Sequence, residues 1–399
     1  MKEFTYYAPT EIVFGVGKES AVGELAKKHG GSRVFVVYGG QSAVKSGLLD
    51  RVVSFCEEAG LKVMTSGGVV PNPLVSTARR MVQEARDFGA DLILAVGGGS
   101  VIDTAKAVAH GVATGSDVWD IWTKKAPLEK SLPVGTVLTI SAAGSETSDS
   151  AVLTNETLEE PTKRGINTPF NRCRFAIMDP KLTSTLPKYQ IGAGAADIFM
   201  HTSERYFASI FGNHLSDRIA EGLFRDIIEY GPLGVQDPDN MEAMSEIMWC
   251  GSVSHVGLTG LGCKGNTGRE GDWGVHQLGM TLSALYNATH GASLTATWGT
   301  WARFVKDAHS ERFAEFARNV YGVTEADDEK AADMGIEKTE AFFASLGMPL
   351  NLTELLGHEP TEEELLHMAE NCSWGRTRNI GIFKVLGYED ILKIYTLAK

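Results

Sequence analysis

The chain has 399 residues, 43% hydrophobic and 22% charged, a globular composition too long for one small domain, so two compact units are expected. A net charge of −13 argues against nucleic acid or an anionic membrane as the main partner, since both need a basic face, and leaves room for a small basic phosphate pocket. No stretch approaches the ~20 apolar residues needed to span a bilayer, MKEFTYYAPTEIVF lacks a signal-peptide core, and none of the five cysteines forms a CxxC pair. The expected setting is therefore the cytoplasm, with free thiols and no cysteine metal site.

In chain order, FTYYAPTEIVFG reads as two short strands around Pro9 that extend a sheet or exchange with a partner subunit. Apolar, β-branched runs follow at Arg33–Tyr38, Leu61–Thr65, Asp91–Val96 and Thr136–Ile140. Helical patterns separate them at Gly47–Ala59, Leu74–Phe88 and Ser100–Ala113. Continuous apolar strands alternating with amphipathic helices predict a parallel sheet covered on both faces. The character changes after Phe175–Pro180, and from Lys188 onward the pattern is almost entirely helical. The fold class is thus an α/β domain over 1–186 and an all-helical domain over 187–399, with Pro187 placed to open the first helix of the second. Glycine clusters fall in the first and the sharpest chemistry in the second, so a ligand cleft between them is expected.

Gly97-Gly98-Gly99-Ser100 ends the strongest strand and opens a helix. Glycines there let a ligand approach the backbone, and the helix N-terminus favours a phosphate. Ser100 and Asp103 are spaced as a capping box, so a tight turn without a ligand is the alternative. The motif is not the G-x-G-x-x-G fingerprint. Two further loops, Gly39-Gly40-Gln41-Ser42 and Thr139–Glu146, also end strands. Three small polar loops at carboxyl ends fit the binding edge of an open α/β sheet and favour a dinucleotide.

In the helical part, Asp197 and His201 are spaced i, i+4, which places both on one helix face. A carboxylate with an imidazole suits Zn2+ or Fe2+, yet such a pair alone is more often a helix-surface hydrogen bond. His276 and His290 would stand roughly 21 Å apart on a straight helix. Both can reach one ion only if the chain bends, and Asn287, Thr289 and Gly291 supply breaking residues. Otherwise they are two unrelated histidines. His214 and His255 are the rival ligands in this region.

These segments together resemble the iron-type (group III) alcohol dehydrogenases, most closely a branch of butanol dehydrogenases and NADPH-dependent aldehyde reductases. The resemblance runs through Pro71-Asn72-Pro73, Gly97–Lys106, Thr139–Glu146, Asp179-Pro180, Asp197–His201 and His276…His290-Gly291. It implies an N-terminal dinucleotide-binding domain and a C-terminal helical metal-binding domain. Asp197, His201, His276 and His290 would hold one divalent ion, Fe2+ or Zn2+, with Ni2+, Mn2+ or Co2+ as alternatives. Gly97, Gly98, Gly99 and Ser100 would bind the cofactor pyrophosphate, Thr139 and Ser141 would lie along pyrophosphate and nicotinamide ribose, Asp103 near the nicotinamide, and Asn72 in the cofactor site. Many relatives carry a histidine where this chain has Met280, which leaves the pocket more apolar and any proton relay there in doubt.

The implied reaction is hydride transfer between a nicotinamide cofactor and a small alcohol or aldehyde, with the metal as Lewis acid. No residue is an obvious general base. NADP(H) is expected over NAD(H), because NAD-selective relatives carry an aspartate at the position of Gly39, whereas Gly39, Gly40 and Ser42, with Lys45 nearby, offer a 2′-phosphate space and donors. A homodimer is expected from the apolar edge Phe4–Phe14 together with the resemblance. The alternatives are a polyol dehydrogenase on the same scaffold, a lyase like dehydroquinate synthase, and a non-enzymatic NADP-binding regulator.

Overall fold

The computed structural model describes residues 3–208, 213–263 and 270–399. The chain divides into two compact units, Tyr7–Leu186 and Pro187–Lys399, the second joined by the N-terminal residues through Tyr6.

The first unit contains strands β1 (Glu11–Phe14), β2 (Arg33–Tyr38), β3 (Lys62–Ser66), β4 (Leu92–Gly97), β5 (Val134–Leu138), β6 (Ser150–Asn155), β7 (Thr162–Asn167) and β8 (Phe175–Met178). Six form one sheet in the order β1-β8-β5-β4-β2-β3, and every pairing in it is parallel. Residues of β4 are buried without alternation, as expected of a central strand covered on both faces. One cover is the helix Leu48–Glu58, whose Leu48, Leu49, Val52 and Cys56 pack with Val34, Val36, Leu92 and Leu94. Gly135 in β5 has no alternative, since a Cβ there would collide with the Phe175 ring.

Several boundaries differ from the sequence reading. The opening segment supplies one strand, Glu11–Phe14, not two. β5 begins two residues before the expected Thr136, immediately after Pro133. The antiparallel hairpin β6–β7 was not anticipated. Its second strand, Thr162–Asn167, is mostly polar and half-exposed, so it carries no apolar signature.

His110 is completely buried in the helix Gly99–Thr114, with Nδ1 2.8 Å from Ser131 Oγ and Nε2 2.8 Å from Asn171 Oδ1. Burial lowers its pKa from 6.5 to about 4 against the pull of Asn171. The folded chain therefore binds fewer protons here than the unfolded chain below pH 6.5, and stability falls as the pH falls toward 4. About 2 kcal/mol should be lost at this residue between pH 7 and pH 5. Urea titrations of wild type and His110→Gln at both pH values measure it. An identical acid loss in the two proteins would assign the effect elsewhere.

The second unit is helical. Its central helix, Lys188–Tyr206, is buried continuously from Ile191 to Tyr206. Phe199 packs with the rings of Phe224, Trp298, Phe316, Phe342 and Phe343, which belong to four other helices. The buried Arg312 closes the end of this helix by donating to the Tyr206 carbonyl, and pairs with Asp217 at 2.6 Å. A helix with no solvent face must find internal partners for its polar side chains. No helix among the described residues is long and apolar enough to cross a membrane.

Candidate metal centre and cofactor loops

Asp197, His201 and Glu204 lie at i, i+4 and i+7 on the central helix, so they share one face. The helix Gly274–Tyr286 carries His276 and stops at Asn287, whose φ of 51° is left-handed. A new helix begins at His290, with Thr289 as its N-cap residue. The chain thus bends between the two histidines, and both return to Asp197.

Asp197 Oδ1 lies 3.6 Å from His201 Nδ1, 3.7 Å from His276 Nε2 and 3.8 Å from His290 Nε2. These separations are too long for hydrogen bonds. They are close to the ~3.4 Å edge of a tetrahedron whose corners lie about 2.1 Å from a central cation. Asp197, His201 and His276 each offer a ligand atom within 4.8 Å of the other two. Asp197 Oδ1, His201 Nδ1 and His276 Nε2 are buried without a hydrogen-bond partner. Leaving such atoms unsatisfied costs roughly 1–3 kcal/mol each. One shared divalent cation removes that cost for all three, so the donor set fits such an ion.

Burial drives the His201 imidazole well below its usual pKa, helped by His255 and His276. At His276 burial also acts downward, but the carboxylates of Asp197 and Glu204 prevail and the net shift is upward. His290 is the most open member, with 29% of its side chain exposed. Of the rival histidines, His214 is exposed. His255 packs on His201 with ring centroids 4.2 Å apart and faces Arg205 Nη2 at 3.0 Å. Trp273 stacks edge-on to His276 at 5.2 Å. Met280 is half-buried, with Gln277 Nε2 3.9 Å from its sulfur.

Sequence reasoning missed Glu204. Its Oε1 accepts hydrogen bonds from His276 N at 2.8 Å and from His276 Nδ1 at 2.9 Å. The signal was available as D-x-x-x-H-x-x-E, a third residue on the face of the first two.

The cofactor candidates lie in the other unit, at the carboxyl ends of three adjacent strands, β2, β4 and β5. Gly39, Gly40 and Ser42 follow β2, Gly97 ends β4 and Gly98–Ser100 follow it, and Thr139 and Ser141 follow β5. Asn72, at φ 56°, lies between β3 and the helix Val75–Phe88, and its Oδ1 accepts from Lys163 Nζ at 2.9 Å. A Cβ on Gly98 would approach Ile140 Cβ to 2.8 Å, which fixes glycine where these loops touch. The Ser141 hydroxyl is buried without a hydrogen-bond partner.

The capping box is not formed. Gly98 is the N-cap residue of the helix Gly99–Thr114, and no side chain caps it, so no capping side chain competes with a ligand at this helix start. Asp103 instead accepts from Ser145 Oγ at 2.6 Å and Val152 N at 2.9 Å. Beside it, the fully buried Lys106 donates to Ser145 O, Ser145 Oγ and Ser150 O. Burial raises the Asp103 pKa against the pull of Lys106. These residues tie the loop after β5 to the glycine-loop helix.

A parallel-sheet unit with glycine loops at its carboxyl edge and a helical unit with a histidine–aspartate centre define a metal-dependent, dinucleotide-using class of oxidoreductase. The chain belongs to the iron-containing alcohol dehydrogenase family: residues 9–180 match the iron-containing alcohol dehydrogenase profile, and 192–398 match the C-terminal profile of the Fe-containing family. It is 35% identical to NADH-dependent butanol dehydrogenase A of Clostridium acetobutylicum, over 99% of both chains. It is 32% identical to the NADPH-dependent aldehyde reductase YqhD of Escherichia coli, over 89% of each. The crystal structure of NADH-dependent butanol dehydrogenase A from Thermotoga maritima superposes with a TM-score of 0.93 at 34% identity, covering 100% of this chain and 99% of that one.

Proposed function

We propose that this chain interconverts a small primary alcohol and its aldehyde, using NADP(H) in preference to NAD(H) and one divalent cation, Fe2+ or Zn2+, held by Asp197, His201, His276 and His290. The observation that carries the reading is the three imidazole nitrogens 3.6–3.8 Å from one buried carboxylate oxygen. When bound, the nicotinamide exchanges a hydride with the substrate carbon and the cation polarises the substrate oxygen.

The chain's own residues bind and orient. Tyr7–Leu186 form the nucleotide domain and Pro187–Lys399 the metal domain. The uncapped helix start at Gly97–Ser100 receives the pyrophosphate. Thr139 and Ser141 line the cofactor beside it, and Asn72, aligned by Lys163, completes that edge. Asp103 acts through the loop it anchors. Met280 lends the substrate side an apolar wall.

The cofactor preference rests on the loop after β2. The relatives' names divide between NADH and NADPH. Gly40 faces open space, and Ser42 and Lys45 are exposed beside it. Oxidation of NADPH and NADH is followed with butanal and a panel of alcohols and aldehydes, each metal being added in turn. A chain inert with every aldehyde contradicts the reading. At Gly39 a Cβ would meet Val101 and Val69 at 3.5 Å, ordinary contact, so an aspartate fits. Gly39→Asp should lower catalytic efficiency with NADPH about tenfold to a hundredfold, the worth of a charge-assisted contact to phosphate. A fall under about threefold, with NADH use unchanged, would remove this loop as selector.

The exposed aromatics Phe4, Tyr6, Tyr7 and Phe14, beside the sheet-edge strand β1, suit self-association as a homodimer. Light scattering at micromolar concentration checks this, and a monomer would contradict it.

A further inference from the structure

We propose that Glu204 is the positioning residue of the metal centre, selecting through His276 which imidazole nitrogen faces the cation. The proposal rests on the reading of the quartet as a metal site. Glu204 is 1% exposed and lies one turn beyond His201 on the same helix face. Its Oε1 takes both the backbone N–H of His276 at 2.8 Å and the ring Nδ1–H at 2.9 Å. A proton held on Nδ1 leaves the lone pair of the neutral ring on Nε2, the nitrogen 3.7 Å from Asp197 Oδ1. The double contact also stops the ring from turning over, because both donors converge on one oxygen. Its negative charge makes the imidazole a stronger electron donor at Nε2. The Glu204 carbonyl accepts Asp272 N at 2.7 Å, so the turn leading into His276 is gripped at two points.

A plain tie between helices would use the same contacts. What separates the two roles is charge. In Glu204→Gln the amide oxygen can accept both hydrogen bonds, and those two donors keep it turned inward. The tie survives and the anion does not.

The test uses full-length protein stripped with a chelator and titrated with Co2+ against a chromogenic competitor, while the visible ligand-field absorption is recorded. For Glu204→Gln the expected result is Co2+ affinity about tenfold weaker with a shifted absorption band, and an unchanged metal-free melting temperature. Glu204→Leu, which also frees the ring, should bind about a hundredfold more weakly. If Glu204→Leu does not fold, Glu204→Gln decides alone. Affinity within about twofold of wild type and a superimposable spectrum for Glu204→Gln overturn the proposal. So does a metal-free melting temperature that falls together with affinity, since that marks a structural tie. Should wild type take up no Co2+, the metal-site reading fails and this proposal with it.

Discussion

Purified His276→Ala protein is expected to have lost its divalent cation and to reduce butanal at least about a thousandfold more slowly than wild type, a deficit of roughly 4 kcal/mol in transition-state stabilisation. The donor set is spread over three helices, Lys188–Tyr206, Gly274–Tyr286 and His290–Val305, and His276 alone comes from the second of them. Its loss leaves Asp197, His201 and the more exposed His290. It also strips the buried Glu204 of its ring partner. Alanine is a good helix former, so the backbone of Gly274–Tyr286 is retained. Elemental analysis, circular dichroism and rates with NADPH are compared in one preparation. A folded, metal-free His276→Ala protein with full activity would sink the site assignment.

Gly291→Ala should be nearly as damaging, though it removes no functional group. A Cβ at Gly291 would collide with the Ala193 carbonyl oxygen and come within 2.7 Å of its carbon and 2.9 Å of its Cα. All three atoms are backbone, so no side-chain rotation gives relief. The helix starting at His290 must move off the helix carrying Asp197 and His201. Overpacking of this kind costs about 3 kcal/mol at its upper end, and a displacement near 1 Å at a reacting site costs about a hundredfold in rate. Thermal melting and butanal reduction of Gly291→Ala measure both. Wild-type values for each would mean that the two helices are not held at contact distance.

Gly291 also shows how far the sequence could be read. Its proximity to His290 suggested a chain break, but the break is made by Asn287 and Thr289. Gly291 sits inside the new helix and is small because another helix crosses it. Local pattern reveals turns, whereas close approach of distant segments leaves no local trace. The same division holds elsewhere. Arg33–Tyr38 was legible as β2 because its interior is buried and continuously apolar. β5 was misplaced by two residues because Gly135 reads as a breaker, although the Phe175 ring demands it. The Ser100–Asp103 spacing suggested a cap, but partners from Ser145 and Val152, ~40–50 residues away, claim Asp103. The convergence of three histidines on Asp197 required the chain bend, which spacing permitted but did not impose.

The position of β1 has a consequence for synthesis. Its register pairs Glu11 with Phe175, so β8 is inserted between β1 and β5. At about 5–20 residues per second, a ribosome needs on the order of 10–30 s to deliver β8 after β1 has emerged. Throughout that interval β1 has no neighbour, and once Val134–Leu138 has emerged β5 also presents an open edge until β8 follows. The nascent chain thus exposes two unpaired strands, with Phe14 and Val13 among the waiting side chains. Sheet closure in this unit must wait for β8, which ends at Met178, before half of the 399-residue chain has been made, and unpaired edges of this kind are what chaperones cover in the meantime.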